Sequence, residues 1–275
     1  MNKEEIYDHW TSWAQEHGEA IEATTRTQSA KSIELSALNS ALSRYTSIDS
    51  APTTILEVGC GNGVNCVSIA AGFPQGQIFG IDFVPEMVDH ARGSARSAHI
   101  DERCTFRVGD AMQLEEIDDL PTDFDIAFTV RCLINLESDE NQRRALKSIA
   151  ERVATNGYLF LIENSQQSYA RQNDLRTTLG LQPRTPASFN HFIDEVSFLE
   201  FAKECGLTLQ GIVDISSLHD TVLYALAPST NGGEIDYKHP LVEAATRLEI
   251  AHHKELGSPF GDFGQNRLFI FHKKS

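Results

Sequence analysis

The stretch Thr54-Ile55-Leu56-Glu57-Val58-Gly59-Cys60-Gly61-Asn62-Gly63 constrains this chain more than any other. An apolar, β-branched run ends in three glycines at alternate positions, and Val64–Ala71 then reads as a helix. Strand, tight turn and helix in that order build a small-molecule site. Glycine lets a ligand approach the backbone where a Cβ would collide, and the helix N-terminus leaves unpaired N–H groups facing the same space. A dinucleotide fingerprint has the spacing G-x-G-x-x-G, with a pyrophosphate on the helix N-terminus. Here the spacing is G-x-G-x-G, and Glu57 ahead of the turn repels a pyrophosphate and favours a cation.

Downstream, strand and helix patterns alternate. Gly76–Asp82 is a second short strand ending in an acid, about twenty residues past the glycines, where βαβ units place the carboxylate that grips a ribose diol. Pro85 and Glu86 open a helix whose packed face carries Met87, Val88, Ala91 and Ala95. Cys104–Val108 is a third strand leading into Gly109-Asp110-Ala111. Phe124–Val130 is a fourth, near-continuously apolar as a strand buried on both faces should be. Ser138 caps a helix that Asn156-Gly157 closes, and Tyr158–Asn164 is a fifth strand. The order β-α-β-α-β-β-α-β over 53–164 is the signature of a doubly wound sheet.

The flanks read differently. Tyr7, Trp10 and Trp13 precede a helix at Lys31–Tyr45, and residues 1–45 are expected to form a helical cap on a core that spans 46–164. Ser165–Glu195 is polar and irregular, longer than an ordinary connection, and is expected to be an ordered lid. Phe198–Cys205 reads as a helix, Leu207–Ile215 and Thr221–Leu226 as strands, and Arg267–His272 as a terminal strand. A second insertion, about 227–264, carries a helix at Leu241–Leu256; residues 165–275 thus form the second half of the fold with two lids.

The formal charge of −16 argues against a surface that neutralises nucleic-acid phosphates. Five cysteines without a CxxC pair read as small buried hydrophobes in a reducing compartment. The polar start and the absence of an eighteen-residue apolar run lead to an expectation of a cytoplasmic protein that binds neither nucleic acid nor membrane. The histidines show no metal-ligand spacing, so no metal is expected. The oligomeric state is not legible.

Four features coincide: the E-x-G-x-G-x-G turn, Asp82 after the second strand, Gly109-Asp110 after the third, and Arg131–Leu136 after the fourth. Together they resemble the class I S-adenosylmethionine-dependent methyltransferases, closely over 53–164 and loosely over 195–275. The resemblance implies an α/β fold with a doubly wound, Rossmann-like seven-stranded sheet and a C-terminal antiparallel strand. It also implies S-adenosylmethionine as cofactor and a small polar metabolite, carboxylate- or amine-bearing, as substrate. Gly59, Gly61 and Gly63 would let the methionine moiety and ribose approach the backbone, with Glu57 near the cationic amino end. Asp82 would take both ribose hydroxyls, Phe83 would lie beside the adenine and Met87 among the cofactor contacts. Asp110 and Ala111 would hold the adenine edge, and Val130 and Arg131 would face the methionine portion.

Methyl transfer is an in-line displacement whose demand is positioning, about 3–3.5 Å between reacting atoms. An amine or alcohol acceptor adds a general base. His191 is the leading candidate, its plain alternative being a surface histidine. Glu163, with Asn164, ends the fifth strand at the edge where ligands sit, or simply caps it. Arg131 either clamps a substrate carboxylate or pairs with a protein acid. Asn135, Tyr169, Tyr224 and His219 are weaker lid candidates, as are Tyr237, His239, Asn266 and Arg267. Two rival readings are a nucleotide-dependent oxidoreductase on a similar sheet and a non-catalytic S-adenosylmethionine-binding regulatory protein.

Overall fold

Thr54–Val58 (β1) is buried along almost its whole length because parallel strands cover both its edges, Gln77–Asp82 (β2) on one side and Phe124–Val130 (β4) on the other. A computed structural model describes residues 1–25, 27–45 and 53–274; the expected boundary between cap and core at 45/46 lies against residues outside these. The sheet continues through Cys104–Val108 (β3), Val153–Asn164 (β5), Leu207–Asp214 (β6) and Asn266–Lys273 (β7), in the order β3-β2-β1-β4-β5-β7-β6. β7 runs antiparallel to both β5 and β6. This is the doubly wound, Rossmann-like sheet with a C-terminal antiparallel strand that the sequence implies. Side chains alternate between two cores, so Phe128 and Phe160 pack on one face while Leu159 and Leu161 pack on the other.

Ten helices of the described residues surround the sheet: α1 (Lys3–His17), α2 (Gln28–Tyr45), α3 (Val64–Gly72), α4 (Pro85–Ser97), α5 (Asp139–Arg152), α6 (Gln166–Thr178), α7 (Glu195–Glu204), α8 (Ser217–Thr221), α9 (Ala227–Thr230) and α10 (Pro240–His252). α1 has a capping box, in which the Asn2 side chain accepts from Glu5 N–H and Glu5 accepts from Asn2 N–H. Between β3 and β4 there is only the short 3₁₀ turn Leu114–Glu116.

Three local readings are corrected. Asn156-Gly157 does not end a helix: α5 stops at Arg152, Val153 already pairs with Phe124, and the ladder resumes at Tyr158 opposite Ile126. Residues 154–157 therefore face Asp125 alone, three more than the ladder needs, and Asn156 takes a φ of 66°, a left-handed conformation that Asn tolerates. Ser165–Glu195 opens not irregularly but with α6, whose N-terminus is capped by Ser165 Oγ. Its apolar residues follow no helical stripe, because it is bound by polar contacts: Gln172 and Arg171 donate to the Phe263 and Asp262 carbonyls. Thr221–Leu226 is helical, with a π-turn over Val222–Leu226, not a strand. A short β-branched apolar run buried on all sides has no period to distinguish the two, and here Val222, Leu223 and Tyr224 pack on Val242 and Ala245 of α10.

Packing between β2 and β3 leaves no room at Gly80, where a Cβ would lie 2.5 Å from the Phe106 ring and 3.0 Å from Cys60 Sγ. Gly80→Ala should therefore lower stability by about 1–3 kcal/mol, read as a lower urea midpoint with an unchanged slope.

Candidate active site

The strand order reverses between β1 and β4, and the carboxyl ends of the strands open there into a cavity of about 490 Å³. Because the sheet is parallel on this side, its lining follows strand order. Asp110 lies beyond β3, Asp82 ends β2, Gly59 follows β1, Arg131 follows β4 and Asn164 ends β5. Antiparallel β7 contributes its first residue, Asn266, which pairs with Asn164. The roof comes from the chain's two tryptophans, Trp10 and Trp13 of α1, and from Phe189 and Phe192. His9 stacks on Phe189 at 4.4 Å and Trp10 meets the same ring edge-on at 5.8 Å, so α1 and the 185–192 segment close over the cavity together.

The glycine turn has positive φ at Gly59, Gly61 and Gly63 (76°, 52° and 80°). A Cβ at Gly59 would strike Cys132 and one at Gly61 would strike Thr24, each at 2.6 Å, so protein neighbours as well as any ligand require these glycines. Gly59 and Gly61 line the cavity; Gly63 instead packs beneath Ala91 of α4. Gly61 N–H donates to Asp82 Oδ2 at 2.8 Å and Val84 N–H to Oδ1 at 3.0 Å, which fixes the Asp82 carboxylate at the cavity wall. Burial pushes its pKa up to about 6, against those two hydrogen bonds. Phe83, Met87, Ala111 and Val130 line the same end.

Glu57 does not reach the cavity. It is fully buried, accepts from Asn65 Nδ2 at 2.6 Å and from Cys66 Sγ at 2.9 Å, and burial pushes its pKa up to about 7. Asn65 relays it outward by accepting from Lys31 Nζ at 3.1 Å. Lys31 and Arg131 both pair with Glu34, at 3.1 and 2.7 Å, and all three line the cavity. Burial pulls the Lys31 ammonium below its ordinary pKa, with Glu34 opposing. Burial alone would raise Glu34, but Arg131 and Lys31 together bring its carboxyl below the usual range. Arg131 also donates to the Thr24 carbonyl at 2.7 Å. Its guanidinium thus ties the cap to β4.

Asp110 accepts from Met112 N–H at 2.9 Å and pairs with Lys3 of α1 at 2.6 Å. Glu163 is wholly buried below the cavity, where one carboxylate oxygen accepts from Thr129 Oγ1 (2.6 Å) and the Cys132 and Leu133 amides (both 3.1 Å), and the other from the Ile134 amide (3.2 Å). Burial pushes its pKa up to about 7. It holds the amides of the 131–135 loop and is not among the residues that line the cavity. His191 does not line the cavity either: its Nε2 lies 2.6 Å from Asp139 Oδ1 on α5, on the partly exposed side of the lid. Both corrections have one cause, that a polar side chain beside a ligand edge can be consumed by the backbone or by a neighbouring acid.

Beyond Asn164 the cavity widens into a chamber lined by Tyr169, Arg184, His219, Tyr224, Tyr237 and Asn266. Arg184 lies 3.5 Å over the Tyr224 ring. Asn164 Nδ2, Tyr169 Oη, His219 Nε2 and Asn266 Oδ1 are buried and have no hydrogen-bond partner among the described residues, which is the state of groups that await a ligand. His239 caps α10 and Arg267 pairs with Asp214 and Asp262, both outside the cavity. Lys31, Glu34 and Asn65 escaped the sequence reading. Their one signal is that Lys31 and Glu34 continue the apolar stripe of Leu38 and Leu42 by helical spacing, so charges fall on a core-facing stripe. Among the described residues no cluster of His, Cys, Asp and Glu could hold a metal, and no helix is long and apolar enough to cross a membrane.

This strand order and turn define the class I methyltransferase fold. The model of the methyltransferase domain family matches residues 49–202, more than half of the chain, and the chain belongs to that family, whose cofactor is S-adenosylmethionine. That membership sets the oxidoreductase reading aside. The chain is 33% identical over 132 residues to norajmaline N-methyltransferase of Rauvolfia serpentina, covering 48% of this chain and 41% of that protein. It is 32% identical over 104 residues to ajmaline N-methyltransferase of the same plant, covering 38% and 34%. The match therefore spans well under half the length of these curated relatives. A TehB-like SAM-dependent methyltransferase from Corynebacterium glutamicum superposes over 97% of this chain and 99% of its own, with a TM-score of 0.54 and 15% identity, a likeness of fold alone.

The raised Glu57 pKa has a consequence for stability. The folded state keeps a proton that the unfolded carboxyl releases near its ordinary pKa of about 4.3, so the stability this contributes is complete below that pH and is lost as pH rises through about 7. Between about pH 5 and about pH 8 the wild type should lose stability relative to Glu57→Gln, followed by urea midpoints across that range; a difference independent of pH would contradict the assignment.

Proposed function

We propose that this chain transfers the methyl group of S-adenosylmethionine to an amine nitrogen of a small molecule enclosed in the cavity. The observation that carries this reading is the continuity of the cavity, which joins the acids and ion network at the β2, β1 and β4 ends to an aromatic-walled chamber beyond β5. The donor set fits the cofactor. Each Asp82 oxygen accepts one backbone N–H and keeps a lone pair for a ribose hydroxyl, and Asp110 offers a carboxylate at the neighbouring strand end. Glu34 beside Lys31 and Arg131 presents both signs of charge in one place, as a zwitterionic amino-acid end requires.

When bound, the cofactor supplies an electrophilic methyl on a sulfonium. The chain contributes enclosure and orientation. Trp10, Trp13, Phe189 and Phe192 exclude water, which strengthens every polar contact inside. Asn164, Tyr169 and Asn266 offer unpaired polar atoms that orient the acceptor. An amine is favoured over a carboxylate-bearing substrate because the cations at this end of the cavity, Lys31 and Arg131, are assigned to the cofactor's own carboxylate. The two matched plant proteins, named as N-methyltransferases, support the same choice. The aromatic wall suits a substrate with an apolar body.

Calorimetry with S-adenosylhomocysteine tests this directly. The wild type should bind it, with quenching of tryptophan fluorescence because both tryptophans line the cavity. Asp82→Ala should weaken binding roughly 10–100-fold, the equivalent of about 1.5–3 kcal/mol for a hydrogen bond to a charged group. Absence of binding by the wild type would refute the reading.

A further inference from the structure

Two histidines line the cavity. His9 is in the roof, stacked on Phe189, whereas His219 is buried in the chamber wall with a carboxylate behind it. Its Nδ1 lies 2.8 Å from Asp220 Oδ1, and Nε2 has no partner among the described residues. The acid is itself fixed: Asp220 Oδ2 accepts from Ser216 Oγ at 3.1 Å and from Gln265 N–H at 2.9 Å, which leaves Oδ1 for the imidazole. An ionised carboxylate only accepts, so in the neutral ring Nδ1 carries the proton and Nε2 presents a lone pair. The helix is held as well. Glu249 of α10 accepts from the Leu218 amide at 2.6 Å and from the His219 amide at 3.2 Å, and the π-turn at Val222–Leu226 begins directly after α8. Single π-turns within helices concentrate at functional sites.

We propose that His219 is the general base of the methyl transfer, with Asp220 as the positioning residue that sets its tautomer. The inference rests on the methyl-transfer reading above. It limits the acceptor to a group that loses a proton on methylation, an amine or a hydroxyl, as opposed to a thioether. The acceptor's N–H or O–H bond breaks and its proton goes to Nε2. The acceptor's existing lone pair forms the bond to the methyl carbon as the carbon–sulfur bond breaks and its pair stays on sulfur, the electrons of the broken N–H or O–H bond restore the acceptor's lone pair, and the positive charge passes from sulfonium to an imidazolium beside Asp220. Asp220 then stabilises that cation without itself taking the proton.

The tautomer is measurable without turnover. A long-range ¹H–¹⁵N correlation spectrum of ¹⁵N-histidine-labelled protein, recorded across pH and with His219→Gln to assign the ring, should show Nδ1 protonated and Nε2 bare in the neutral ring. A proton on Nε2 in the neutral ring overturns the proposal. If His219→Gln fails to fold, Asp220→Asn serves for the assignment, because the amide should perturb the same ring and mix its tautomers. With tetrahydroisoquinoline as an amine probe, His219→Gln should lower kcat by about 100-fold or more with KM nearly unchanged, while S-adenosylhomocysteine binding stays within about twofold. Unchanged kcat with cofactor binding intact overturns the base assignment alone. Failure of the wild type to bind S-adenosylhomocysteine overturns the methyl-transfer reading instead.

Discussion

The ion pair between Glu34 and Arg131 joins the helical cap to the catalytic edge of the sheet, and most of the site depends on it. Glu34 is buried in α2, Arg131 follows β4 with a φ of 55°, and their 2.7 Å contact is continued by Lys31 to Asn65 and Glu57 behind the glycine turn. A buried charge that loses its partner costs about 3–5 kcal/mol, so the cap is bound to this position electrostatically as well as by packing. The network closes one side of the cavity, and its members are ready to face a ligand carrying both charges. α1 is attached by packing, with Ala14 buried against Val84 and Met87 and Tyr7 edge-on to Phe83, by aromatic contacts to Phe189, and by an exposed pair between Lys3 and Asp110.

The sheet divides the labour. Each parallel strand delivers one wall residue at its carboxyl end, about 4.8 Å from the next, so an extended ligand can be read from β3 to β4 in one direction. Beyond β5 the walls come from α6, α8, the second insertion and the start of β7. Antiparallel β7 has a particular effect: it brings an N-terminal strand end, Asn266, to the edge where its neighbours present C-terminal ends. On the proposed function, cofactor recognition rests on the part of the chain with the most regular topology, and acceptor recognition on the part with the least. Among the described residues five buried carboxyls, Glu57, Asp82, Glu163, Asp214 and Glu249, have pKa values raised by burial, a pattern found where acids organise a site.

Legibility in the sequence follows the same division. The turn, Asp82 and Asp110 were readable because backbone geometry ties them to strand ends, and a strand end needs only periodicity and a glycine to be located. Glu163 was located correctly but its surroundings were not, since three loop amides that converge on one carboxylate have no sequence signature. His191 and His219 illustrate the limit. Both are single histidines, His191 in the first expected insertion and His219 between two expected strands, and what separates them is a neighbour: Asp139, distant in the chain and exposed, for one, and Asp220, adjacent and buried, for the other. Residues 216–220 fall between the two expected strands, Leu207–Ile215 and Thr221–Leu226, where no element is expected, and it is helix α8 that lets His219 Nδ1 meet Asp220.

The most direct test of the whole account is a crystal structure with S-adenosylhomocysteine bound. The account requires the ribose on Asp82, the amino-acid end against Glu34, Lys31 and Arg131, and the sulfur opening toward the chamber that holds His219. A ligand bound elsewhere, or a sulfur walled off from His219 by protein, would contradict it.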